Sequence, residues 1–172
     1  MPRNIEIKAR VESLPALRAR AAALATEPPK EIAQDDTFFC CDTGRLKLRA
    51  FASGTGELIF YRRADDAGPK ESFYVLSRTS DPDGLREALT LAYGQRGRVI
   101  KQRTLIMIGR TRVHLDRVQD LGDFMELEVV LADGETTDAG LGEAKALMAK
   151  LEVRESQLVE GAYLDLLTVK AS

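Results

Sequence analysis

The sequence predicts an α+β protein: an eight-stranded antiparallel β-barrel with helices packed outside it. Two observations carry this. Eight short stretches alternate apolar and polar residues with the period of two that a half-buried strand imposes. In several of them the polar positions are ionic, with the two signs unevenly placed: Glu6, Lys8 and Arg10; Arg45, Lys47 and Arg49; Lys101 and Arg103; Arg112, His114 and Asp116; Glu126 and Glu128. A solvated antiparallel sheet also alternates, but its polar face mixes charges with threonine and serine. The helices need an apolar sheet surface to cover, so with helices outside, the ionic faces line a lumen, and eight strands are enough to close one.

Taken in order, Asn4–Glu12 sets Ile5, Ile7, Ala9 and Val11 against Asn4, Glu6, Lys8 and Arg10, which reads as a strand. Ser13 caps a helix with Pro15 in its first turn, stopped by Pro28 and Pro29. Ile32–Cys41, Arg45–Arg49, Glu57–Arg63 and Glu71–Thr79 follow as strands. Asp42-Thr43-Gly44, Ser53–Gly56 and Ala64–Pro69 connect them. Asp81-Pro82-Asp83-Gly84 opens a helix through Tyr93, after which Arg98–Ile108, Thr111–Val118 and Phe124–Val130 complete the strands. A loop over Gly134–Asp138 leads to two closing helices, Leu141–Leu151 and Glu155–Leu167. No repeat of fixed period interrupts this, and residues 1–172 read as one domain.

A net charge of −2 and a pI near 5.6 argue against nucleic-acid and anionic-membrane partners. No apolar run reaches the ~20 residues that span a bilayer, and Met-Pro-Arg-Asn lacks a signal peptide's apolar segment, so a cytoplasmic protein is expected. Cys40 and Cys41 are adjacent and read as one cysteine on each face of a strand in a reducing compartment.

Glu126 and Glu128 lie on one strand face, ~7 Å apart along it. Two such carboxylates in a dry place need a cation or basic side chains between them. The neighbouring lysines and arginines need an anion in turn. A polyphosphate chelated by Mg²⁺ or Mn²⁺ satisfies both, since Mg²⁺ is held by one or two carboxylates plus phosphate oxygens.

At this point the residues resemble the CYTH domain, or triphosphate tunnel metalloenzyme, family, which includes class IV adenylate cyclases, thiamine triphosphatases and tripolyphosphatases. The elements are Ile5-Glu6-Ile7-Lys8, Gln34–Phe39, Gly44–Arg49, Lys101-Gln102-Arg103, and His114–Val118 leading through Leu121-Gly122 to Phe124–Glu128. The resemblance implies an antiparallel tunnel that binds a triphosphate with a divalent metal, Mg²⁺ or Mn²⁺. Glu6, Glu126 and Glu128 are then the expected metal ligands, with Asp116 near the metal or the attacking group. Lys8, Arg49, Arg63, Lys101, Arg103 and Arg112 would hold phosphate oxygens, and Lys8, Asp116 and Arg103 form the expected catalytic set. Strand parity favours Arg63 over Arg62, and Lys47 is a further possible contact. Where the family opens E-x-E-x-K, this chain has Asn4, which weakens a second metal site. His114 on the face of Arg112 and Asp116 is expected to stay neutral and hydrogen-bond. Tyr61 and Tyr74 are expected to pack in the core or at the tunnel rim.

The reading preferred here is metal-dependent hydrolysis of a triphosphate compound: tripolyphosphate, thiamine triphosphate or a nucleoside triphosphate such as ATP. No compact aromatic or amide cluster stands out to hold adenine. The alternatives are a class IV cyclase making cyclic AMP and pyrophosphate, and a non-catalytic polyphosphate- or nucleotide-binding module. A monomer or homodimer is expected.

Overall fold

The computed structural model describes residues 2–63 and 68–171, with the backbone alone at 63, 70 and 171. The side chain of Arg63 and most of the expected Ala64–Pro69 loop therefore fall outside the described residues. The strands are β1 (Arg3–Arg10), β2 (Lys30–Phe39), β3 (Arg45–Ala50), β4 (Gly56–Arg63), β5 (Lys70–Thr79), β6 (Gln95–Ile108), β7 (Thr111–Val118) and β8 (Gly122–Val130). The helices are α1 (Leu14–Leu24), α2 (Pro82–Tyr93), α3 (Thr137–Lys150) and α4 (Tyr163–Ala171).

The strands close into a barrel in the order β1-β5-β4-β3-β2-β6-β7-β8. Every pairing is antiparallel, and β1 seals the ring by pairing with both β5 and β8. The apolar faces look outward, as expected. Ile7 and Ala9 of β1, Ile106 of β6, Val113 and Leu115 of β7, and Met125 and Leu127 of β8 pack against Leu17 and Ala21 of α1 and Leu147 and Met148 of α3. This outer core fixes strand parity, because a slip of one residue would turn the ionic faces onto the helices.

Local chemistry explains the helix starts. Ser13 Oγ accepts from the Ala16 N–H at 3.4 Å, with Pro15 in the first turn of α1. Asp81 Oδ1 accepts from the Gly84 N–H at 3.0 Å at the start of α2.

Two expectations need correction. The closing helix expected over Glu155–Leu167 is broken: a 3-10 turn spans Glu155–Gln157, and α4 begins at Tyr163. Between them the chain follows β1, with the Val159 N–H donating to Lys8 O at 3.0 Å and Gly161 turning at φ 79°. Asp165 then accepts from the Ala162 N–H at 2.9 Å and restarts the helix. The cysteines also lie elsewhere than expected: β2 ends at Phe39, and the Cys40 N–H donates to Gly94 O at 3.0 Å, so both sit in the turn. Among the described residues no helix is long and apolar enough to cross a membrane.

Candidate functional site

The barrel encloses a cavity of about 470 Å³. At one end Phe38, Val99, Val118 and Phe124 fill the lumen, with Tyr163 and Leu164 of α4 seated among them. Toward the other end it is lined by Ile32, Phe51, Leu76 and Leu105. Between these ends lie the ionic residues, in two groups.

The first group comes from β1, β7 and β8. Cross-strand register sets Glu6 opposite Glu128 and Lys8 opposite Glu126, while β7 sets Arg112 opposite Glu128 and His114 opposite Glu126. Lys8 Nζ is 3.6 Å from Glu126 Oε1, and Arg112 Nε donates to Glu128 Oε2 at 2.8 Å. His114 Nδ1 lies 3.8 Å from Glu126 and 3.7 Å from Glu128, too far for a hydrogen bond. His114, Glu126 and Glu128 each bring a ligand atom within 4.8 Å of the others. Two carboxylates and an imidazole are a donor set that a divalent ion accepts.

The second group comes from β2, β3 and β6, and centres on Asp36. This buried carboxylate receives Arg49 through Nε at 2.8 Å and Nη2 at 2.9 Å, and Lys47 Nζ at 3.0 Å, with Lys101 Nζ at 3.9 Å. Arg103 stands between the groups. It donates twice to Asp116, at 2.7 Å each, and once to Glu126 at 3.3 Å. Tyr163 completes this contact with its hydroxyl donating to Asp116 Oδ2 at 2.8 Å, while Lys8 and Lys101 sit over its ring at 4.3 and 5.0 Å. Lys8 also donates to Gly161 O at 2.9 Å.

Burial and pairing oppose each other throughout. Burial pushes the Asp36 carboxyl up, but Arg49, Lys47 and Lys101 hold it well below the usual range. Glu126 behaves alike: Lys8 and Arg103 outweigh its burial and keep it ionised. Burial, then the Arg103 charge, lowers Lys101 to about 7. Burial and Arg103 also lower His114, keeping it neutral as expected. The bases thus find carboxylate partners inside the lumen, so its charge is tolerable without a bound anion. Crowding of bases alone therefore does not demand an anion, contrary to the expectation from sequence, because Asp36 and Asp116 are buried as their partners.

The expected site residues converge unevenly. Glu6, Lys8, Arg49, Lys101, Arg103, Arg112, Glu126 and Glu128 all line the one cavity, as do Lys47, Tyr61, Tyr74 and His114. Asp116 does not: it is fully buried and paired with Arg103, which it orients, rather than lining the cavity. Asn4 is buried in the lining with its Oδ1 unpartnered, opposite Ser72 of β5. Two residues were missed. Asp36 shares strand parity with Gln34 and Phe38, a signal that would have placed it inside. Tyr163 gave no signal, because only the break before α4 brings it into the barrel.

A family model described as the CYTH domain matches residues 2–163. Among solved structures, the PH1012 protein of Pyrococcus horikoshii superposes with a TM-score of 0.84 at 22% identity, covering 95% of this chain and 98% of its own. A candidate adenylate cyclase of Vibrio parahaemolyticus gives a TM-score of 0.77 at 19% identity, covering 96% and 97%. A candidate adenylyl cyclase of Hippeastrum, described as having a dominant triphosphatase activity, gives 0.66 at 15%, covering 98% and 95%. At these identities the likeness is one of fold. No curated relative matches the sequence.

Proposed function

The chain belongs to the CYTH domain family, and on that premise we propose that it hydrolyses a triphosphate compound inside the barrel with the help of a divalent metal. One observation carries the reading: Arg49, Lys101, Arg103 and Arg112 share one cavity inside the barrel with Glu126 and Glu128. Bases that face an enclosed space can exchange carboxylate partners for phosphate oxygens, and arginine's planar fork suits them bidentately. Lys8, Arg49, Lys101, Arg103 and Arg112 hold the chain of phosphates, and the guanidinium of Arg103, fixed by Asp116, meets charge as it shifts to the leaving oxygen. Glu126 and Glu128, with Glu6 in register beside them, would hold Mg²⁺ or Mn²⁺. When bound, such an ion supplies Lewis-acid polarisation of a phosphoryl oxygen.

The apolar residues Ile32, Phe51, Leu76 and Leu105 offer a bound molecule an unionised surface, which tripolyphosphate could not use. Leu76 is 43% exposed, so this arc reaches the outside. That favours an organic triphosphate, thiamine triphosphate or a nucleoside triphosphate, over the inorganic chain. Residues 1–172 act in this reading as one domain, in the cytoplasm, as a monomer or homodimer, with neither nucleic acid nor membrane as partner.

The test is turnover. The protein with Mg²⁺ or Mn²⁺ is offered tripolyphosphate, thiamine triphosphate and ATP, and orthophosphate, pyrophosphate and cyclic AMP are quantified. Orthophosphate from an organic triphosphate is expected, falling ~10²–10³-fold in Glu126→Gln or Glu128→Gln. Cyclic AMP as the main product would make the protein a cyclase. Tight binding without turnover, with activity appearing in Asn4→Glu, would make it a binding module.

A further inference from the structure

His114 is the only histidine in the chain. It sits in the lumen, 5% exposed, and its Nδ1 is buried without a hydrogen-bond partner. Buried polar atoms are rarely left so, and each exception asks for an explanation. The two nearest acceptors, Glu128 Oε1 at 3.7 Å and Glu126 Oε2 at 3.8 Å, are both beyond hydrogen-bond reach. Atoms bonded to one common ion at ~2.1 Å each lie up to ~4.2 Å apart, so both separations suit a shared cation. Basic neighbours hold the carboxylates: Lys8 and Arg103 contact Glu126, and Arg112 contacts Glu128. Outer partners of this kind fix the direction of ligand atoms. The imidazole enters from β7 on the same side of the lumen, in register with Glu126.

We propose that His114 is a metal ligand through Nδ1, completing with Glu126 and Glu128 a mixed nitrogen–oxygen site that prefers Mn²⁺ to Mg²⁺. Carboxylate and water ligands alone serve Mg²⁺ well, whereas an imidazole shifts a site toward the first-row transition ions. The residue expected only to hydrogen-bond thereby becomes the one that sets metal preference. This rests on the reading of the lumen as a metal site, but not on the reaction performed there.

The experiment uses the full chain without a histidine tag, stripped of metal and titrated calorimetrically with Mn²⁺ and separately with Mg²⁺. Pulsed electron paramagnetic resonance of the Mn²⁺ form reads the ¹⁴N coupling that a bound imidazole produces. Wild type is expected to show that coupling and to bind Mn²⁺ ~10-fold or more tightly than Mg²⁺. His114→Gln is expected to lose the coupling and ~10–100-fold in Mn²⁺ affinity, with Mg²⁺ affinity changing far less. No ¹⁴N coupling in the Mn²⁺-bound wild type, or no Mn²⁺ binding, overturns the proposal, and the wild-type spectrum decides even if the variant fails to fold. Triphosphate turnover without nitrogen coupling would leave the proposed function standing and remove this ligand. Coupling without turnover on any triphosphate would do the reverse.

Discussion

Lys101 is one residue through which pH acts on the lumen. Its pKa in the fold is about 7 against an ordinary 10.5, because burial and the Arg103 charge disfavour the ammonium. Between those values the unfolded chain binds the extra proton, so this group makes stability rise with pH across that window and penalises the fold below it. A triphosphate reverses the balance by favouring the charged form. Binding should therefore take up a proton above pH 7, and affinity should fall as pH rises once the ligand's own phosphates are ionised. Calorimetry in buffers of different ionisation enthalpy reads the uptake, and Lys101→Met should reduce it, leaving the share of Lys47, which burial and Arg49 also lower. Asp116 carries a different prediction. It is the common acceptor for Arg103 and Tyr163, so Asp116→Ala strands a buried guanidinium and should cost ~3–5 kcal/mol in urea unfolding. Asp116→Asn keeps an acceptor and should cost less.

Among the elements, α4 decides which end of the barrel is closed. Leu164 Cδ1 would lie 2.6 Å from a Cβ placed on Gly97 of β6, where φ is +155°. A side chain there would force the tip of Leu164 on α4 to shift, at a backbone φ that side chains rarely adopt. Gly97→Ala should thus lower stability by ~1–3 kcal/mol and loosen the packing around Tyr163, visible in the near-ultraviolet circular dichroism. A substitution at Gly109, a turn glycine at φ +59° with open space around its Cβ, would strain the backbone without that loss of packing. Strand parity was legible from residues alone: Ile5, Ile7 and Ala9 outward, Glu6 and Lys8 inward, because one buried face permits only one register. The break before α4 was not. Glu155–Leu167 reads as helical by content, and contacts with β1, the Val159 N–H on the Lys8 carbonyl and the Leu158–Ala9 bridge among them, draw it out of the helix.

For the molecule as a whole, the lumen's bases are paired with carboxylates of the barrel, and a ligand should add to stability. A triphosphate with Mn²⁺ at ~100 times its dissociation constant should stabilise the protein by ~2.7 kcal/mol. At this chain length that is a rise of ~5–10 °C in thermal midpoint. A midpoint unmoved by any triphosphate and metal would mean that the cavity binds none of them.

The sequence by itself determined the barrel, the parity of its strands and the gathering of Glu6, Lys8, Lys101, Arg103, Glu126 and Glu128 in one place. A period of two and a segregated set of charges are local facts that survive any arrangement of the loops. Tertiary structure alone decided which carboxylate serves which base: Asp36 for Lys47 and Arg49, Asp116 for Arg103 with Tyr163 arriving from 47 residues away. Such partnerships depend on strand order and on how far a side chain reaches across the lumen, and neither is written in the alternation of residues along one strand.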